Sequence, residues 1–136
     1  MKGSCLCGGV QYEITGGISA FGFDHCSRCR KSSGSAFMTE LICKRTSFRW
    51  LCGESLIRFY EAPVHEKPPG YRRTFCSQCG CNVPDLRPER DFVWIPAGSL
   101  DDDPGLRPQA HIFVGYKAPW FEITDALPQY DRDPPR

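Results

Sequence analysis

The sequence predicts a mainly β protein of short antiparallel strands, on three observations. Apolar residues alternate with polar ones over brief stretches that recur roughly every ten residues, the pattern of half-buried strands joined by turns. Twelve prolines and thirteen glycines in 136 residues favour turns over long helices. Two close cysteine pairs, Cys5-Leu6-Cys7-Gly8 and Cys76-Ser77-Gln78-Cys79-Gly80, lie far apart, and joining them would tie the start of the chain to its middle.

A chain of 136 residues predicts one domain spanning 1–136, with 131–136 a frayed polar tail. Hydrophobic content of 40% with 12% aromatics excludes a disordered chain. The net charge of +1 comes from 17 basic and 16 acidic residues without a long single-sign run. A nucleic-acid groove or a membrane-surface face needs a concentrated positive field, so neither partner is expected. The start, Met1-Lys2-Gly3-Ser4-Cys5, carries no apolar leader, and no apolar run is long enough for a membrane span. Nine cysteines then read as reduced, cytoplasmic and metal-binding rather than disulfide-bonded.

In chain order, Val10, Tyr12 and Ile14 alternate with Gln11, Glu13 and Thr15 as a strand that Thr15-Gly16-Gly17 ends. Residues 19–23 form a second strand that delivers Asp24 and His25 to the next turn. The polar, basic stretch 26–33 lacks β-branched residues and is followed by Gly34, which predicts one or two helical turns behind a metal-binding loop. Phe37, Thr39, Leu41 and Cys43 share one face of the next strand, and Phe48 and Trp50 follow a turn at 44–47. Residues 56–60, 71–75, 92–95 and 110–116 read as further strands, 62–70 as a proline-rich loop and 97–105 as an acidic turn. Cys43 and Cys52, alone in strand-like segments, read as small buried apolar residues. His65 reads as solvent-exposed, and Trp120 and Phe121 as core packing or a pocket wall.

Cys5, Cys7, Cys76 and Cys79 have the spacing of one tetrahedral zinc site, with a glycine after each pair to let the backbone curl around the sulfurs. Four thiolates leave no open position, so this zinc is structural. Arg72 and Arg73 beside the second pair can soften its net negative charge. A thioredoxin-like redox pair at Cys76 and Cys79 would need a βαβ setting that the flanks lack. Between the halves, Asp24-His25-Cys26-Ser27-Arg28-Cys29 reads as an incomplete second metal site, since a plain surface turn needs no paired cysteines.

The chain resembles the glutathione-dependent formaldehyde-activating enzymes, whose zinc-tied scaffold is called a β-tent. The resemblance rests on Gly3-Ser4-Cys5-Leu6-Cys7-Gly8, His25-Cys26-Ser27-Arg28-Cys29-Arg30-Lys31 with Gly34, and Arg73-Thr74-Phe75-Cys76-Ser77-Gln78-Cys79-Gly80. It extends through Gly98-Ser99-Leu100-Asp101 and Pro108-Gln109-Ala110-His111-Ile112-Phe113 to Pro119-Trp120 and Leu127-Pro128. It implies a structural zinc on Cys5, Cys7, Cys76 and Cys79. It also implies a second, more open catalytic zinc on a Cys-His-Cys-X-X-Cys motif, where glutathione and formaldehyde give S-hydroxymethylglutathione, a carbon–sulfur lyase class reaction.

This chain departs from that motif by carrying Asp24 in place of its first cysteine. Three arrangements stay open: Asp24 joins Cys26 and Cys29 as a carboxylate ligand, Cys81 swings in as the third thiol, or no second zinc binds. His25 reads as an orienting neighbour rather than a ligand. Arg28, Arg30 and Lys31 are candidate anchors for the carboxylates of a glutathione-like thiol, with a solvated basic turn as the alternative. The expected function is a zinc-binding carbon–sulfur lyase-like enzyme acting on a small thiol and an aldehyde. The alternative is a non-catalytic module that keeps only the structural zinc.

Overall fold

The computed structural model describes residues 1–63 and 70–134; His65 lies outside them. The fold is mainly β, as expected. Three strands, β1 (Lys2–Ser4), β2 (Gln11–Ile14) and β5 (Phe48–Cys52), form an antiparallel sheet in the order β1-β2-β5. Five more, β3 (Ile18–Asp24), β4 (Met38–Lys44), β8 (Asp85–Leu86), β9 (Phe92–Pro96) and β10 (His111–Ile112), form a second sheet in the order β10-β3-β4-β9-β8. A two-stranded ribbon pairs β6 (Ile57–Glu61) with β7 (Arg72–Cys76). The single α-helix among the described residues, α1 (Ser27–Ser33), follows β3.

Period-two patterning explains the core. Tyr12 and Ile14 of the small sheet face Leu41, Cys43, Val93 and Ile95 of the larger one, and all six are buried. Phe48 and Trp50 close over Tyr12, ring centroids 5.5 and 6.2 Å away. A second cluster of Cys5, Val10, Cys76 and Val83 packs beneath the cysteine pairs, and Trp50 touches both clusters. Gly3 is required by close approach: a Cβ there would lie 2.2 Å from Cζ of Tyr12, its register partner. The Tyr12 hydroxyl meets Ser99 at 2.7 Å, and Ser99 donates to the Pro96 carbonyl at 2.7 Å.

The structure corrects three expectations. The run 110–116 is not one strand: it pairs only at His111–Ile112, because Phe113 adopts φ 54° and Val114–Tyr116 coils into a 3-10 turn. That short strand also pairs parallel to β3 and makes a parallel bridge from His111 to Gln129, where the other strand pairs of the described residues are antiparallel. Cys52 is exposed rather than buried, beyond a register shift between Gln11 and Tyr12. Near the end of the described residues, the Phe113 amide donates to the Arg132 carbonyl. No helix of the described residues is long and apolar enough to cross a membrane.

Candidate metal centres

The four cysteines of the paired motifs converge. Cys5 leaves β1 and Cys76 ends β7, and each turns its chain back on a left-handed glycine, Gly8 (φ 73°) and Gly80 (φ 72°). The Gly8 amide donates to the Cys5 carbonyl at 2.9 Å, and the Gly80 amide to the Cys76 carbonyl at 2.8 Å. The four sulfurs lie within 4.8 Å of one another, with Cys5–Cys7 at 3.5 Å and Cys7–Cys76 at 3.9 Å. Zinc–sulfur bonds of about 2.3 Å give a tetrahedron whose edges are about 3.8 Å, so this donor set fits zinc. The Val10 amide donates to the Cys5 sulfur at 3.3 Å. The amides of Cys81 and Cys7 draw the Cys79 thiol down to about 6. Arg73 steadies the second turn through the Gly80 carbonyl (3.1 Å) and Asn82 (2.9 Å), whereas Arg72 pairs with Glu61 and stacks on Phe59.

A second group forms where β3 hands over to α1. Asp24 is buried at the strand end, Cys26 occupies the cap position before the helix, and Cys29 is buried one turn on. One ligand atom from each lies within 4.8 Å of the other two. The Cys26 amide donates to Asp24 Oδ1 at 2.7 Å, which fixes the carboxylate in an Asx-type turn. Gly34 (φ 68°) ends the helix by donating to the Arg30 carbonyl. A hydrogen bond from Cys29, amides of Arg28 and Cys29 at the helix start, and the Arg28 side chain lower Cys26 to about 5 against its burial. Cys29, donating to that thiolate and buried, is held far above an ordinary thiol. Burial raises Asp24 to about 6, and the Cys26 charge adds to this against the Cys26 amide.

Cys81 stands outside both groups; its thiol faces the Asn82 carbonyl at 3.4 Å and packs against the apolar cluster under the first centre. Arg28 lies beside Cys26, 5.5 Å above the Tyr71 ring. The 100° step of a helix puts Lys31 on the Arg28 side and turns Arg30 away, so the three cations do not converge on one ligand. Lys31 is exposed, and Arg30 has a buried Nε without a hydrogen-bond partner. An open pocket of about 560 Å³ is lined by Cys5 and Leu6 of the first centre's turn, by Cys81, and by Ser33, Phe37 and Met38. Trp120, 71% exposed, and Phe121 line a separate pocket of about 550 Å³ formed by the C-terminal segment. Phe121 also packs on Phe37, ring centroids 5.4 Å apart.

Two further features have no local signature in the sequence. Glu40 pairs in register with Gly22 and Pro96, and so shares a sheet face with Asp24, whose partner is Met38. Glu40 is half-buried; burial, then the charges of Asp24, Cys26 and Asp85, raise it to about 8. Asp85 itself is satisfied by Arg87 and Thr74. On the other side, His25 Nε2 meets His111 Nδ1 at 2.8 Å, and His111 Nε2 reaches both Asp125 oxygens at 3.0 and 3.2 Å. Burial, then His111 and Lys117, lower His25 to about 4, so its imidazole is neutral. Only an alignment in space joins these residues: 86 positions separate His25 from His111.

The family model for the glutathione-dependent formaldehyde-activating enzyme matches residues 1–116. The resembling stretches Pro119-Trp120 and Leu127-Pro128 lie past its end. Among solved structures, the chain is similar to a crystal structure of a Rhodobacter sphaeroides protein, with 21% identity and a TM-score of 0.55. The likeness covers 79% of this chain and 92% of that one, and shows a shared fold. No curated protein sequence matches the chain. With the cysteine half-sites in place and the match running over most of the sequence, the chain belongs to the glutathione-dependent formaldehyde-activating enzyme family.

Proposed function

We propose that this protein joins a small thiol of the glutathione type to formaldehyde, a carbon–sulfur lyase class reaction, at a zinc ion held by Asp24, Cys26 and Cys29. The observation that carries the reading is the meeting of those three ligand atoms within 4.8 Å, a set that leaves one position for a substrate. Zinc bound there would supply Lewis acidity, favouring the thiolate of a substrate and polarising an aldehyde carbonyl. A second zinc, on Cys5, Cys7, Cys76 and Cys79, is structural. All nine cysteines are unpaired, which supports a reducing, cytoplasmic setting.

In the addition, the substrate's S–H proton leaves, a carbon–sulfur bond forms as the carbonyl π bond opens onto oxygen, and that oxygen takes a proton. Arg28, beside Cys26, is placed to hold a substrate carboxylate. Before metal binds, burial and the charges of Asp24 and Cys26 hold Glu40 up to about 8 on the sheet face of Asp24. Phe37 and Met38 give the open pocket nearby an apolar side. Cobalt substitution tests the reading. Glutathione added to protein carrying two cobalt ions should shift the visible bands of one ion only; unchanged spectra would remove the proposal.

A further inference from the structure

The buried histidine between the ligands of the second centre is reached from the surface through one hydrogen-bonded line. His25 is fully buried and sits in sequence between Asp24 and Cys26. Its ring is enclosed by Phe37 and Phe121, at centroid distances of 5.4 and 6.0 Å, and by His111. His111, 2% exposed, stacks on Phe23 at 4.9 Å. Asp125 at the far end is held by the Leu127 amide at 2.9 Å, while its side chain is 46% exposed.

The backbone follows the same path. The His111 amide donates to the Pro128 carbonyl, and the Tyr130 amide donates to the His111 carbonyl. One residue on, Ile112 lies opposite Asp24, and its carbonyl accepts the His25 amide at 3.0 Å. The C-terminal segment 117–130 is therefore attached, by main chain and side chain alike, to the residues that present the second ligand set.

We infer that Asp125 and His111 are positioning residues for the second centre: together they hold His25, and with it the backbone of Asp24 and Cys26, in the ligating arrangement. The inference rests on the second centre binding metal. A buried imidazole without partners would turn or draw in water, and its neighbours would turn with it. Outer hydrogen bonds that orient a metal-binding loop are typically worth about 10- to 100-fold in affinity. Because Asp125 is half exposed, its removal leaves His111 Nε2 open to water rather than stranded, so the fold survives the change.

The test is a cobalt titration of full-length wild type, Asp125→Ala and Asp125→Asn, each centre followed by its own absorption bands, with thermal melts alongside. Wild type should take two cobalt ions. Asp125→Ala should weaken the second by roughly tenfold or more and leave the first unchanged. Asp125→Asn, which keeps an oxygen to accept from His111, should restore most of the loss. Two ions bound with full affinity in Asp125→Ala would overturn the inference and leave the proposed function standing. Equal losses in the alanine and asparagine variants would assign the effect to charge and overturn it too. Parallel weakening of both centres with a lower melting temperature would reduce Asp125 to general stability. A single ion in wild type would defeat the proposed function and this inference together.

Discussion

Stripping metal from the first centre should unfold the protein, and the structure sets the scale. The link between Cys7 and Cys76 spans 69 positions. Closing a loop of that length removes about 4.4 kcal/mol of chain entropy from the unfolded state in the cross-link model. A domain of this size has only about 5–15 kcal/mol of net stability, and structural zinc sites supply about 10–16 kcal/mol of apparent binding energy. Cys5 and Cys76 also belong to the buried cluster with Val10 and Val83, and Cys79 packs against it. A chelator titration should therefore show zinc release, loss of near-ultraviolet circular dichroism and a change in Trp50 fluorescence along one curve, since Trp50 touches both clusters. Cys76→Ser should be unfolded or insoluble at 37 °C. A zinc-free protein that still melts within about 2 °C of the loaded form would refute this reasoning, because a shift that small corresponds to under about 1 kcal/mol.

Three other outcomes follow from particular side chains. At the second centre the Cys26–Cys29 pair keeps one proton near neutrality, and Asp24 gains one below about 6. Protons compete with metal, so as the pH is lowered apparent affinity should fall about tenfold per unit above pH 6, about a hundredfold per unit between pH 6 and 5, and more steeply still once Cys26 gains its proton below about 5. Asp24→Asn should keep the shallower slope down to about pH 5, and an unchanged break near pH 6 in that variant would exclude Asp24 as its source. In protein carrying one zinc, carbon-13 NMR should find Glu40 titrating near 8, and a second equivalent of metal should lower that value by bringing positive charge to the same sheet face. A titration indifferent to the second equivalent would separate Glu40 from the centre. Gly3→Ala should cost about 1–3 kcal/mol through overpacking against the Tyr12 ring. Gly98→Ala, where a methyl meets nothing within 4 Å, should stay within about 0.5 kcal/mol; equal denaturation midpoints would count against the clash.

Local pattern made much of this fold legible. The alternation around Tyr12 and Ile14, the glycines after each cysteine pair and Gly34 after a polar helix all act over a few residues, and each stands where the pattern places it. What escaped was set from a distance. Lys2–Ser4 has no strand-forming composition and is a strand because β2 pairs with it. Asp85–Leu86 is ordered by β9 and by the Arg87 ion pair. The apolar run at 110–116 promised a strand until Phe113 turned left-handed, a backbone choice that hydrophobicity does not encode. Of the metal chemistry, spacing indicated both cysteine groups, and the family resemblance indicated the place of Asp24. The His25–His111–Asp125 line and the Glu40 carboxyl needed the sheet register to bring them to the site.

The proposed activity meets its most direct test in exchange NMR of glutathione and formaldehyde with their adduct. Zinc-loaded wild type should accelerate the exchange. Cys26→Ala, with the first zinc still bound, should leave it at the uncatalysed rate. Equal acceleration by both proteins, or by neither, would contradict a catalytic centre built on Asp24, Cys26 and Cys29.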